Sequence, residues 1–176
     1  PPPFIYYKKY NETMEYCLYS KGFDNIEYYI SSFVNLETNL MNQMSDRKKR
    51  YIKKFEKEIQ IKLSNDIDSF YPILINNKLK HKATPTHTLE ELKILMEKFP
   101  NKIKLLLTSK DNQIIGGSLN FITNDDSCIL FYNMINYDYQ HLQIASIQIY
   151  ESLKWAKKNN LKFLDIGVSQ IYKNNQ

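Results

Sequence analysis

A chain of 176 residues that is 43% hydrophobic can build the core of one folded domain, which excludes a wholly disordered protein. No apolar run approaches the roughly 18 residues that a membrane-spanning helix needs. The formal net charge of +5 weakly favours an anionic partner. Cys17 and Cys128 lie far apart, without the spacing of a metal or redox motif, so we expect reduced thiols in a cytoplasmic protein.

The first 57 residues are predicted to form an N-terminal arm. Their start, Pro1-Pro2-Pro3-Phe4, has neither the order of a secretory signal nor an initiator Met, so we expect a fragment or a processed product. From Pro1 to Tyr19, prolines and tyrosines without a clear period favour polyproline followed by an extended strand. A helix is predicted from Asp24, which can cap it. Its apolar face would hold Ile26, Tyr29, Ile30 and Phe33.

A second helix is predicted from about Leu36 to Lys57, and it carries a dense run of basic residues. Two interpretations stay open. The basic side chains contact phosphates of an RNA or of a nucleotide-linked precursor, or they form the solvated face of an amphipathic helix. The residues concerned are Arg47, Lys48, Arg50, Lys53 and Lys54.

The middle of the chain is predicted to form a strand followed by two helices. Apolar and polar residues alternate from Ile59 to Leu63, which indicates a half-buried strand. A helix is expected from Ser64 to Lys80, disturbed near its first turns by Pro72. The sequence Thr88-Leu89-Glu90-Glu91 fits a capping box and predicts a helix from Leu89 to Phe99.

The last third is predicted to form a three-stranded meander, a long amphipathic helix and a closing buried strand. A turn at Asp111-Asn112 joins the first two strands. The helix runs from Leu142 to Asn159, and the closing strand runs from Leu161 to Ile166. The three meander strands are Ile103–Thr108, Gln113–Ile122 and Cys128–Ile135.

Several side chains in this part are candidates for chemistry. The rings of Tyr137, Tyr139 and His141 either stack on a nucleotide base or pack against a neighbouring loop. His141 can also accept a proton near neutral pH. Asp165, at a strand end, either orients a substrate amine or has a structural role. No metal site is expected, because the loop histidines 81 and 87 lack further ligands.

The order strand, two helices, three antiparallel strands, helix, strand resembles the core of the GNAT acyltransferases. Within that superfamily the motifs are most similar to the Fem-type branch, the aminoacyl-tRNA-dependent ligases and their acetyltransferase-like relatives. The resemblance covers about Asp24 to Ser169. The motifs that carry it are the Arg-rich helix Ser45–Lys57, Phe70-Tyr71 with Lys80-His81 and Pro85, the hairpin Asp111–Gly117, Trp155-Ala156-Lys157 and Phe163-Leu164-Asp165-Ile166-Gly167.

The resemblance implies an α+β (α/β) fold: a GNAT-like acyl-CoA N-acyltransferase core, with a mixed, mostly antiparallel sheet flanked by helices. Residues 1–57 would form an N-terminal helical arm and residues 58–176 the core. The family continues with another helix and two more strands, so this core is expected to be truncated before its final strands. Fem-type ligases carry two GNAT-like halves, which implies a second half or a homodimer as partner.

The activity implied is transfer of an acetyl or aminoacyl group to an amine of a small molecule or of a cell-envelope (peptidoglycan) precursor. The donor would be acetyl-CoA or an aminoacyl-tRNA, with no metal. In GNAT folds two central strands splay apart and free main-chain groups hold the reacting carbonyl. Here Leu130–Ile135 and Phe163–Ile166 would splay. The catalytic residues predicted on this basis are Tyr132, Asn133, His141 and Asp165.

The donor site is predicted at the start of the long helix. Coenzyme A enzymes of this fold use a Gln/Arg-x-x-Gly-x-Gly/Ala turn, and here Gln143 replaces the first glycine of the segment Gln140–Ala145. This replacement argues against tight coenzyme A binding and leaves open an aminoacyl-tRNA donor or a non-catalytic GNAT-like binding or assembly module. The predicted donor-binding residues are Met134, Tyr137, Tyr139, Gln140, Gln143, Ile144, Ala145 and Ser146, with Arg47, Lys48 and Arg50 on phosphates.

Overall fold

The computed structural model describes residues 2–9, 11–24 and 29–170. They form one six-stranded sheet with helices on both faces. The strands are β1 (Tyr29–Asn35), β2 (Gln60–Ser64), β3 (Ile103–Lys110), β4 (Gln113–Ile122), β5 (Ser127–Ile135) and β6 (Phe163–Gln170). The α-helices are α1 (Thr13–Ser20), α2 (Asp46–Phe55), α3 (Ile67–Lys80), α4 (Leu89–Lys98) and α5 (Ile144–Lys158), and short 3-10 helices span Phe4–Tyr6, Leu40–Gln43 and Tyr137–Leu142.

The strand order is β1-β6-β5-β4-β3-β2. Every neighbouring pair is antiparallel except β5 and β6, which are parallel and connected through α5. The predicted mixed, mostly antiparallel sheet flanked by helices is therefore confirmed. None of the helices in the described ranges is long and apolar enough to cross a membrane. The predicted division at residue 57 stays a prediction.

Local signals in the middle and last thirds predicted the elements well. The turn residues Asp111 and Asn112 both have positive φ, 49° and 64°, as a two-residue hairpin requires. The capping box is present: the Thr88 hydroxyl accepts a hydrogen bond from Glu91 N at 3.2 Å, and Thr88 N donates to the Glu91 carboxylate at 2.8 Å. The helix predicted from Ser64 begins at Ile67 and runs through Pro72 to Lys80, so the disturbance expected at Pro72 was wrong.

The predictions for the N-terminal third were largely wrong. The expected polyproline and strand before residue 20 is a 3-10 helix followed by α1. The helix expected from Asp24 is instead β1 over residues 29–35, while Ile26 lies outside the described residues. β1 forms by hydrogen bonding to β6. Because β6 lies far along the chain, a local sequence pattern cannot show this pairing. The helix expected from Leu36 to Lys57 is shortened to α2, preceded by the second 3-10 helix.

Two sets of apolar side chains hold helices to the sheet. On one face, α5 contributes Leu153 and Trp155 to a cluster that includes Leu164 of β6. On the other face, Phe70 and Leu74 of α3 meet Tyr132, Leu119 and Leu92. A third cluster joins α2 to the start of α5 through Ile52, Ile144 and Ile147. α5 is thus fixed between the sheet and the basic helix.

The parallel strands β5 and β6 separate after a short paired region. Their register ends at Ile129 and Asp165, although β5 continues to Ile135 and β6 to Gln170. A bulge lies beside this point in each strand. Phe131 is an extra residue of β5 relative to β4, and Ile166-Gly167 of β6 stand opposite one residue of β1. Because bulges bend and twist strands, these two turn β5 towards β4 and β6 towards β1.

We expect Gly167→Ala to lower the free energy of unfolding by about 1–2 kcal/mol, because Gly167 has a φ of 97°, which residues with a Cβ rarely adopt. Gly22→Ala is the matched reference, since Gly22 has a φ of 75° and equally open space around it. Urea denaturation of both variants measures the two losses. If Gly22→Ala lowered the free energy of unfolding and Gly167→Ala left it unchanged, the left-handed conformation of Gly167 in the bulge would be contradicted.

Candidate active site

The separation of β5 from β6 leaves main-chain groups facing a gap. Asn136 N donates to Ile115 O at 2.7 Å. In an antiparallel pair the main-chain groups of successive residues point alternately towards and away from the partner strand, so this bond shows which residues of β5 face β4. By this register, the main-chain groups of Asn133 and Ile135 point away from β4 and into the gap. The two strands do part, and Asn133 lies on the wall of the gap, as predicted for β5. In β6 the segment predicted to splay, Phe163–Ile166, is instead paired with β5 up to Asp165.

The end of this gap is closed by a side chain that the sequence analysis missed. Asn77 of α3 is buried and binds both main-chain groups of Ile135: its Nδ2 donates to Ile135 O at 2.6 Å, and its Oδ1 accepts from Ile135 N at 3.3 Å. It replaces the strand that β6 would otherwise supply. A signal was available, because Asn77 continues the buried stripe of Phe70 and Leu74 on α3. Asn133 is left as the residue whose main-chain groups face the gap.

The start of α5 lies beside Asn133, whose Nδ2 donates to Ala145 O at 3.1 Å. Gln143 precedes the helix in a left-handed conformation, with φ 55° and ψ 33°. The carbonyl of Gln143 accepts the first helical hydrogen bonds, from Ser146 N and Ile147 N. The N–H groups of the two residues in between, 144 and 145, come before those bonds and give this end of the helix its partial positive charge.

A second buried amide, also absent from the predicted residues, supports the same corner. Gln148 Nε2 donates to Thr108 Oγ1 at 2.8 Å and to Met134 O at 3.3 Å. A Cβ at Gly116 would lie only 2.5 Å from this nitrogen, so the glycine makes room for the amide. The side-chain oxygens of Gln148 and Asn133 are buried and accept no hydrogen bond from the described residues.

Asp165 marks the point at which the strands part, and its oxygens are engaged. It accepts hydrogen bonds from Tyr6 OH at 2.5 Å, from Gly167 N at 2.7 Å and from Ser31 Oγ at 3.4 Å. Burial, followed by the Asp165 carboxylate, raises the pKa of the Tyr6 hydroxyl. The same two causes raise the pKa of the Cys128 thiol to about 12. The role predicted for Asp165 in orienting an amine stays a prediction.

The remaining predicted catalytic side chains are those of Tyr132 and His141. Tyr132 is buried on the α3 face, where its hydroxyl accepts a hydrogen bond from Thr86 N at 3.1 Å. The bulge at Phe131 explains this orientation, because it places two consecutive rings on one face of the sheet. His141 is exposed in the third 3-10 helix. No group of three His, Cys, Asp or Glu side chains within the described ranges is arranged to hold a metal ion.

The predicted donor-binding residues surround the start of α5. Lys80 Nζ lies 3.3 Å from the centre of the Tyr137 ring, and Tyr139 OH donates to Gln113 Oε1 at 2.9 Å. Gln140 is exposed, and Met134 is half-buried against the α3 cluster. Both rings thus have contacts within the chain, and their predicted contact with a donor stays a prediction.

The basic helix meets this donor region through one residue. Lys48 Nζ donates to Ser146 Oγ at 2.7 Å and so joins α2 to the first turn of α5. Arg47 and Arg50 are exposed on the same helix. One member of the predicted phosphate set and one member of the predicted donor set are therefore in direct contact.

No protein-family model and no curated protein sequence matches the chain. Solved structures do. FemX superposes with a TM-score of 0.72 at 10% identity, over 93% of this chain and 62% of that one. L-PGS from Bacillus licheniformis gives 0.69 at 9% identity, over 94% and 52%. An aminoglycoside acetyltransferase from an uncultured soil metagenomic sample gives 0.50 at 15%, over 69% and 81%.

These likenesses confirm the GNAT-like fold and its resemblance to Fem-type structures. At such identities they establish the fold alone. The chain spans 62% of the length of FemX and 52% of the length of L-PGS.

We expect Tyr6→Phe to lower the free energy of unfolding by roughly 1–2 kcal/mol, because it removes a hydrogen bond to the buried Asp165 carboxylate. The raised pKa of Tyr6 means that the stabilisation is complete below the pKa of an unfolded tyrosine, about 10, and declines as pH rises towards the folded value. Denaturation curves measure the difference in free energy of unfolding between wild type and Tyr6→Phe, which should be smaller above pH 10 than at pH 8. Tyr16→Phe, on an exposed ring, is the control, and an equal loss in both would contradict the assignment.

Proposed function

We propose that this chain is the acyl-transfer module of an N-acyltransferase, which moves an acetyl or aminoacyl group onto a primary amine. The observation that carries the proposal is the gap between β5 and β6, where the main-chain groups of Asn133 point away from β4 beside the start of α5. A strand edge that is unpaired inside a sheet is costly to maintain unless a ligand uses it. The name of one structural neighbour, an aminoglycoside acetyltransferase, supports the same reaction class.

The chemistry requires few side chains. An uncharged amine attacks the acyl carbonyl, the new C–N bond forms, and the thiolate or the tRNA hydroxyl leaves, taking up the proton that the amine loses. The N–H of Asn133 is suited to hydrogen-bond the oxyanion that develops on the carbonyl oxygen. Its position on a strand braced by Asn77 and Gln148 fixes that donor before the reaction starts. The predicted catalytic side chains of His141 and Asp165 would assist deprotonation of the amine.

The donor is proposed to enter from the start of α5. Its phosphates, whether of coenzyme A or of a tRNA end, would meet the N–H groups of residues 144 and 145 and the cations Arg47, Lys48 and Arg50. Its base would stack on the rings of residues 137, 139 or 141. The acceptor would be the amine of a small molecule or a cell-envelope precursor. A second GNAT-like half or a second copy would supply the remaining wall of the cleft.

The test removes one main-chain hydrogen. Asn133→Pro and Asn133→Ala both lose the side-chain bond to Ala145, but only proline removes the N–H that faces the gap, and it breaks no bond to β4. We expect Asn133→Ala to keep transfer within about tenfold of wild type and Asn133→Pro to lose about a hundredfold or more. Transfer of a radiolabelled acetyl group from acetyl-CoA, or of an aminoacyl group from a charged tRNA pool, to a panel of primary amines gives the rates.

Circular dichroism and urea denaturation establish that both variants are folded. Equal transfer rates for the two variants would show that the Asn133 N–H takes no part in the mechanism. Absence of transfer with either donor in the folded wild-type protein would overturn the proposal.

A non-catalytic binding module is the second candidate, and the left-handed Gln143 favours it. Gln143 carries a side chain at the position where coenzyme A enzymes of this fold have a glycine. We expect Gln143→Gly to tighten acetyl-CoA binding about tenfold, because it clears the approach of the pyrophosphate to the helix. Asn160→Gly, at φ 61° beyond the other end of α5, is the matched control and should leave affinity unchanged. Isothermal titration gives both affinities, and an unchanged Gln143→Gly would favour a tRNA donor or the binding module.

A further inference from the structure

An apolar pocket lies on the flank of α5, outside the gap between β5 and β6. It has a volume of about 220 Å³ and is bounded by β1, by the segment that leads into α2 and by α5. None of its lining residues belongs to β5 or β6. Its apolar walls are formed by Val34, Leu40, Met44, Ile149 and Leu153.

One end of this pocket carries a positive charge with no counterion among the described residues. Lys48 is half-buried at its wall, and its ammonium donates one hydrogen bond to the hydroxyl of Ser146, which is itself buried. Across residues 2–9, 11–24 and 29–170, no carboxylate lies within 4 Å of this ammonium. The next residue, Lys49, is by contrast paired with Asp46 at 3.0 Å.

An unpaired ammonium beside apolar walls is a costly arrangement, because low-polarity surroundings disfavour a bare charge. An anion would offset this cost through a charge-assisted hydrogen bond, and its body would displace water from the walls. A single cation suits a monoanion better than a phosphate dianion, since phosphate sites gather several donors. The charge and the walls together specify an amphipathic ligand.

We propose that this pocket binds a short linear aliphatic carboxylate, with the carboxylate on Lys48 and Ser146 and the chain along Ile149 and Leu153. The pocket has room for several water-sized groups, so it suits a short chain rather than a long one. The site goes beyond the proposed acyl transfer. It shares Lys48 and Ser146 with the residues proposed to bind the donor, and no residue with the gap.

Isothermal titration with the series butanoate, hexanoate and octanoate tests the walls. We expect affinity to rise about fourfold per methylene up to octanoate. Octanamide, which has the same chain without the charge, should bind at least tenfold more weakly than octanoate. A flat series would overturn the proposal, as would inorganic phosphate binding as tightly as octanoate.

Two variants test the position. Lys48→Gln keeps a donor towards Ser146 and removes the charge, so octanoate affinity should fall about tenfold or more. Lys53→Gln removes the same charge from an exposed position on the same helix and should leave affinity unchanged. Ile149→Phe fills the pocket while leaving Lys48 in place, and it should abolish binding. Equal losses for Lys48→Gln and Lys53→Gln, or octanoate binding retained in a folded Ile149→Phe, would overturn the assignment.

These measurements need no acyl transfer, so the two proposals fail separately. Loss of octanoate binding in Ile149→Phe with unchanged transfer rates would support the pocket as a distinct site. Octanoate that still competed with acetyl-CoA in a folded Ile149→Phe would instead place the carboxylate in the donor site and overturn the separation.

Discussion

The architecture of the site depends on the point at which the parallel strands β5 and β6 cease to pair. β5 and β6 share only a short register, and each then follows a different antiparallel partner. The bulges at Phe131 and at Ile166-Gly167 lie beside the last shared pair, so the divergence is built into the backbone of both strands. Everything proposed for the site depends on this, because a sheet that stayed fully paired would have no main-chain group to offer.

Keeping such a gap open requires polar groups in the protein interior. Asn77 satisfies the main chain of Ile135, Gln148 reaches Met134 O, and Asn133 links β5 to α5. All three are amides, which can donate and accept hydrogen bonds as the backbone does. Uncharged amides also avoid the desolvation cost that a carboxylate or an ammonium would incur at these positions. They support the gap without adding charge near the proposed reaction.

Much of the fold was predictable because its signals are local. The capping box at Thr88 and the turn at Asp111-Asn112 each determine an element within a few residues, and the long helix has its own apolar period. The site was predictable only in outline. The splay was predicted from the resemblance to GNAT folds, but the roles of Asn77 and Gln148 depend on contacts with residues far away in the sequence. The orientation of Tyr132 depends on a bulge that no sequence pattern indicated.

The pairing of β1 with β6 also constrains how the chain is made. β1 emerges from the ribosome roughly 130 residues before β6, which at about 5–20 residues per second is a delay on the order of ten seconds. During that time Ile30 and Phe33, which stay partly exposed even in the finished sheet, have no partner strand. The nascent chain is therefore most open to mispairing with other chains in this interval, and a chaperone that shields the first third would matter most for its yield.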